Sequence, residues 1–321
     1  MLDNCVRVGQ PGPMTERSDA DGRGSASQAS IDDLVATVLA TGAVRDVRKA
    51  RLVTDGMQHI VVVLDEQLVA RFPRDEAAAV SLRDETALLT RLAGQVTVPL
   101  PVPVHIDQRF SLHRMLLGSV SSRAAVESLS PVALERLLDD VGRFLSELAA
   151  ADVPDLATSP ATTSVDQLRQ LRVRAEACVV PLMWRHQRAW FEETFAAVES
   201  MSFEHTPSVI HGDLAPYHVL HDPESGQLTG VLDFGVSGLG DPAVDLGCLL
   251  SVWGEKLAGG LVRQWAAAVA LADRGRLLAT ILPLEWAVTS LETQATDLAL
   301  AHLGHLAIDI NQIGSPFGPI A

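Results

Sequence analysis

Residues 209–235, VIHGDLAPYHVLHDPESGQLTGVLDFG, constrain the fold of this chain more than any other stretch. Apolar SVI runs into His211-Gly212-Asp213, VLH follows directly on His218, and GQLTGVLDFG delivers Asp233. Short apolar runs bounded by turn residues read as strand, loop, strand, turn, strand. Pairing among those strands would set Asp213, His218 and Asp233 around one cleft. Such a constellation suits phosphoryl transfer. That chemistry needs a carboxylate to orient a hydroxyl, metal ligands to neutralise the polyphosphate, and little covalent work. Aspartates that merely cap turns are the simpler alternative. It does not explain two acids, two histidines and flanking glycines in so short a run.

The flanks differ sharply. Ser30 is a candidate N-cap for a helix carrying the apolar stripe Ile31, Leu34, Val35, Val38 and Leu39. ARLVTDGMQHIVVVLDEQLVARFPR then reads as three strands with turns at Thr54-Asp55-Gly56 and Asp65-Glu66-Gln67. EAAAVSLRDETALLTRLAG predicts a helix ending at Gly94, VPLPVPVHID an extended, loop-like run, and RFSLHRMLLG a further short strand. Beyond Gly118 helical patterns cover roughly 131–151, 164–180, 185–200, 241–269 and 273–308. We therefore expect an α+β fold, with a small β-rich lobe at 31–115 and a larger helical lobe at 116–321. Residues 1–30 are polar, Gly/Ser-rich and aperiodic, which reads as a disordered extension, with Met14 as an alternative start.

Composition excludes several classes. The net charge of −15 argues against nucleic acid, which needs clustered Lys and Arg, and suits a cationic small molecule equally with mere solubility. No apolar run is long enough to span a membrane, and the N-terminus lacks the apolar core of a signal peptide. Cys5, Cys178 and Cys248 are scattered, with no CxxC, so neither a disulfide framework nor a zinc site is expected. A cytoplasmic, monomeric protein is the default.

HGDLAPYHVL, followed by LDFG and GDPAVDL, resembles the aminoglycoside phosphotransferase family of antibiotic kinases, across roughly residues 45–310. The resemblance implies a protein-kinase-like, two-lobed fold, ATP or GTP as phosphate donor, and Mg²⁺. Asp213 would be the catalytic base, and Asp233 would hold Mg²⁺ between the phosphates. His218 stands where most relatives carry Asn, a feature shared with the aminoglycoside 2″- and macrolide 2′-kinases. Because Mg²⁺ prefers oxygen, His218 is a weaker metal ligand than Asp233, direct or through water. His211 reads as a brace. Asp241 reads as a helix cap, and Asp245 as a brace for the catalytic loop or a substrate-facing acid.

By the same resemblance Arg71, in RFPR, takes the place of the phosphate-binding lysine, and Glu85 is the helix acid that pairs with it. Only Gly56 represents the glycine-rich phosphate loop, with backbone donors between Gly56 and His59. Arg114, Met115 and Leu116 would form the hinge that lines the base. Arg74 is read as a surface residue. Most tryptophans should be core, and Glu285, Glu292 and Asp297 are read first as a solvated helix face. Transfer to a hydroxyl of an aminoglycoside is the expectation that follows. A macrolide, or a small metabolite on the same fold, remains the alternative, and so does a catalytically dead relative that only binds.

Overall fold

The computed structural model describes residues 30–53, 58–161, 164–294 and 299. The expected extension at 1–30, apart from Ser30, lies outside the described residues, as do Gly56 and Asp297.

The chain opens with α1 (Ile31–Ala40). Ser30 caps it reciprocally: its hydroxyl accepts from the Asp33 N–H and the Asp33 carboxylate accepts from the Ser30 N–H, both at 3.2 Å. Five strands follow, β1 (Ala50–Val53), β2 (His59–Leu64), β3 (Leu68–Pro73), β4 (Pro103–Ile106) and β5 (Ser111–Arg114). They form an antiparallel sheet in the order β1-β2-β3-β5-β4. The proline-rich run is therefore partly a strand, because β4 pairs with β5 through an irregularity between Pro103 and His105. The β2–β3 turn holds Asp65 and Glu66 at positive φ, and the Asp65 carboxylate accepts from the Arg48 and Lys49 N–H groups.

Strand alternation gives the sheet two different faces. Val62, Leu64, Ala70, Phe72, Phe110 and Leu112 pack with α1 residues Leu34 and Val38 on the outer face. The inner face carries Val61, Val63 and Val69, packed with Met115. Helix α2 (Glu76–Leu92) follows β3 and is capped by Asp75, whose carboxylate accepts from the Ala78 N–H at 2.8 Å.

The second half is mostly helical: α3 (Arg123–Glu127), α4 (Pro131–Ala150), α5 (Val165–Cys178), α6 (Arg185–Ser200), α7 (Ala243–Ala258) and α8 (Ala268–Glu292). Short strands β6 (Ser119–Val120), β7 (Ser208–Ile210), β8 (Val219–His221), β9 (Leu228–Val231) and β10 (Gly238–Gly240) carry the loops of the motif stretch. One core joins α4, α7 and α8 around Phe144, Trp253 and Leu249, and a second joins α5, α6 and α8 around Phe191 and Phe195. The helix expected over 241–269 is not continuous. Gly254 takes φ 74°, a 3₁₀ turn covers Gly259–Arg263, and Ala268 already begins α8. A left-handed glycine and the Gly259-Gly260 pair interrupt the helical backbone while the apolar spacing that suggested one helix runs on. Among the described residues no helix is long and apolar enough to cross a membrane.

Candidate active site

β7 ends at Ile210, and its antiparallel partner β10 fixes where the chain leaves the sheet. Gly212 takes φ +84°, and a Cβ there would lie 2.8 Å from the Val236 carbonyl oxygen. The turn into Asp213 therefore requires glycine. Two backbone donors exposed by this turn are taken by one buried carboxylate. Asp245, in the first turn of α7, accepts from His211 N–H at 2.9 Å and Gly212 N–H at 2.8 Å. Burial pushes its pKa up to about 7 despite those bonds. This corresponds to the bracing alternative for Asp245. Asp241 is also fully buried, and besides accepting from the Ala243 N–H at 3.0 Å it takes a two-pronged ion pair from Arg274.

His211 is a brace with a definite tautomer. Its Nε2 lies 2.8 Å from the Leu232 carbonyl, which can only accept, so Nε2 carries the proton. Nδ1 is then the acceptor for the Asp213 N–H at 3.3 Å. Burial, aided by the charge of His218, lowers its pKa to about 3, so the ring stays neutral. One imidazole thus ties the segment before Asp233 to the backbone of Asp213.

The same reasoning fixes His218. Its Nδ1 is 2.7 Å from the Asp213 carbonyl, so Nδ1–H donates there and Nε2 is left on the Asp233 side. That Nε2 lies 3.5 Å from Asp233 Oδ2. β8 and β9 pair directly, Val219 opposite Val231, and the Leu232 N–H donates to the His218 carbonyl. Sheet pairing accordingly brings His218 and Asp233 together, as the strand reading anticipated, while β7 joins through β10 instead.

Asp213 and Asp233 differ electrically. Burial raises the Asp213 pKa to about 6, with Asp233 and Glu285 pushing the same way against the pull of His218. For Asp233 burial also pushes upward, but His218 and Arg71 outweigh it and hold the carboxyl below its ordinary value. The second acid is thereby kept ionised and the first poised near neutrality. Among the described residues no group of three or more His, Cys, Asp or Glu converges on a metal site. Asp233 with the His218 Nε2 still fits a divalent cation whose other ligands are phosphate oxygens and water, as is usual for Mg²⁺ at nucleotides.

Opposite this loop, Arg71 lies on the inner face of the sheet, aligned with Val61 and Ser111. Its Nη1 donates to Glu85 Oε1 on α2 at 2.8 Å, with the two side chains 11% and 1% exposed. The same Glu85 oxygen accepts from the Phe234 N–H at 3.3 Å, so α2 is joined to the loop that carries Asp233. Arg71 Nη2 also approaches His59 Nδ1 at 3.4 Å. Sequence reasoning missed this side chain. Two-residue alternation from Val61, which faces Arg71, was the signal that could have found it.

Arg114 and Arg74 are exposed, and Met115 is buried against Val61, Val63 and Val69, its N–H donating to the Gln67 carbonyl. Leu116 packs with Leu220, Leu232 and Val120 on the facing side. Met115 and Leu116 therefore belong to two different apolar clusters. Trp253 and Trp265 are core, whereas Trp184 is exposed, and Glu292 is engaged by Arg174 in a two-pronged surface pair.

Known proteins resemble this chain in sequence and fold. A family model described as the phosphotransferase enzyme family matches residues 49–279. Viomycin phosphotransferase of Streptomyces vinaceus is 29% identical over 216 residues, covering 64% of this chain and 75% of that protein. The GDP and kanamycin complex of an aminoglycoside 2″-phosphotransferase superposes with a TM-score of 0.76 at 23% identity, covering 85% of this chain and 97% of that one. A macrolide 2′-phosphotransferase type I gives 0.69 at 18% identity, covering 87% and 98%. At these identities the solved structures establish the shared fold.

Proposed function

The chain belongs to the phosphotransferase enzyme family, and we propose that it transfers the γ-phosphate of ATP or GTP to a hydroxyl of an aminoglycoside antibiotic. The observation that carries this reading is the closed arrangement of Asp213, His218 and Asp233. The three are linked by distances of 2.7 to 3.8 Å and face the Arg71–Glu85 pair.

In this mechanism the purine lies between the wall of Val61, Val63, Val69 and Met115 and the wall of Leu116 and Leu232. Arg71 presents its guanidinium charge to phosphate oxygens, while Glu85 holds it from behind and the Phe234 N–H ties that glutamate to the loop. The acceptor hydroxyl hydrogen-bonds to the Asp213 carboxylate, which orients it in line and takes its proton as the bond to the γ-phosphorus forms and the bond to the departing nucleoside diphosphate breaks. Asp245 and His211 fix the backbone that carries Asp213. Asp233 and His218 would hold Mg²⁺, which neutralises charge on the phosphates.

Two features support a cationic acceptor. The chain carries a net charge of −15, and Glu285 and Asp233 add negative potential at Asp213. Ammonium groups are drawn to such a surface. Trp253 and Trp265 are core residues and line no pocket, whereas Trp184 is exposed. Nucleotide turnover should be measured with ATP and GTP in the presence of kanamycin, gentamicin, streptomycin, viomycin, a macrolide and small amino-alcohol metabolites. Stimulation by an aminoglycoside supports the proposal. Stimulation by the metabolites alone, or by nothing, overturns it.

A further inference from the structure

We propose that His59 is a positioning residue for the phosphate anchor: its neutral imidazole accepts from Arg71 and aims the guanidinium at the donor nucleotide. The inference rests on the reading of Arg71 as that anchor. His59 is the first residue of β2, lies on the inner face two residues from Val61, and is only 2% exposed. A guanidinium has donors and no acceptor, so at the 3.4 Å contact Nδ1 must accept and the ring proton sits on Nε2. That assignment requires an uncharged ring. Burial first, and then the Arg71 charge, lower the His59 pKa, against the opposing pull of Glu85 and Asp233.

Geometry gives the contact its purpose. Glu85 takes Nη1 from the α2 side and His59 takes Nη2 from the strand side. A guanidinium held at both ends cannot rotate about its stem, so its direction is fixed before a nucleotide arrives. A charged partner in place of His59 would compete with phosphate for Arg71, whereas a neutral acceptor orients it without cancelling its charge. Nε2 makes no hydrogen bond among the described residues and is shielded from solvent. The ring therefore acts through Arg71 and not by touching the nucleotide.

The test compares His59→Leu, which removes the acceptor, with His59→Asn, whose amide oxygen falls close to the position of Nδ1. Titration calorimetry on the full chain, without antibiotic, gives the dissociation constants of ATP, GTP and the two nucleosides. His59→Leu should weaken triphosphate binding about tenfold, the value of one hydrogen bond to a charged group, and leave nucleoside binding unchanged. His59→Asn should restore affinity to within about threefold of wild type. In an Arg71→Ala background, His59→Leu should add no further loss, since the two residues act as one unit. Equal losses for nucleoside and triphosphate, no rescue by Asn, or a full additional loss without Arg71 would each overturn the inference. Wild-type protein that binds neither nucleotide would overturn the phosphotransfer reading itself. Wild-type binding with an unaffected His59→Leu variant would remove His59 alone.

Discussion

The catalytic stretch and the sheet facing it assemble their charges over very different spans of sequence. Asp213, His218 and Asp233 lie within one strand-loop-strand unit, and His218 reaches the Asp213 carbonyl only five residues away. On the other side, Arg71 meets Glu85 across 14 residues, and Glu85 meets the Phe234 N–H across 149. The first half is local, so its side chains are placed by turn geometry and one ladder. The second half exists only when α2 packs between the sheet and the loop of Asp233. On the proposed reading, the chemistry resides in one short stretch of sequence, whereas the grip on the nucleotide depends on contacts between distant parts of the chain. Damage to Asp213 on the local side should abolish turnover with nucleotide binding intact. Damage to the packed side should impair both.

Asp213→Asn tests the local side and has the largest expected effect. The change is nearly isosteric, so kcat should fall by about 10²- to 10⁴-fold, the usual worth of a positioned acid or base. The nucleotide dissociation constant should stay within about twofold, because Asp213 faces the acceptor. Pre-steady-state and binding measurements on the same preparation separate the two. A comparable rise in the dissociation constant would show that Asp213 belongs to the grip.

Asp233 and His218 stand between the two halves. Asp233→Ala should remove magnesium-dependent nucleotide binding, because it deletes the carboxylate held ionised by His218 and Arg71. His218→Ala should weaken that binding by about tenfold. Titrations with and without magnesium decide the ranking, and equal losses would make the imidazole as strong a ligand as the carboxylate.

The packed side gives smaller and coupled effects. Arg71→Ala should raise the nucleotide KM and lower kcat, together costing about 10- to 100-fold in kcat/KM, as expected for a hydrogen bond to charged phosphate. Glu85→Ala should do the same more mildly, and the double variant should be less than additive. Arg71→Lys should recover part of the activity, because a point charge cannot reproduce the fork. Full additivity would mean that the 2.8 Å pair does not act as one unit.

The smallest effect is on pH. Asp213 must be ionised to accept a proton, and its pKa is raised to about 6. Its ionised fraction, and with it kcat/KM, should therefore fall as pH drops through 6. The loss should be about tenfold for each unit below that point. A flat profile between pH 5 and 7 would take Asp213 out of the base role.

The comparison also explains what could be read in advance. Periodicity placed α1, α4 and α6 well, and for α1 the Ser30 cap was a second local signal. The strand pairing behind His218 and Asp233 was legible for the same reason. Arg71 and Glu85 came from resemblance alone, because nothing in their own neighbourhoods distinguishes a buried pair from two surface charges. His59 escaped because its role depends on which strand lies beside β2. The break at Gly254 escaped because apolar spacing continues through it while the backbone does not.

The central claim is that this cleft moves one phosphate onto a cationic antibiotic through Asp213. Its most direct measurement is mass analysis of kanamycin recovered after incubation with ATP or GTP and magnesium, using wild type and Asp213→Asn side by side. The account predicts that kanamycin gains one phosphoryl group with wild type and none in the same time with the variant. Unmodified kanamycin with both proteins, or equal phosphorylation by both, would contradict it.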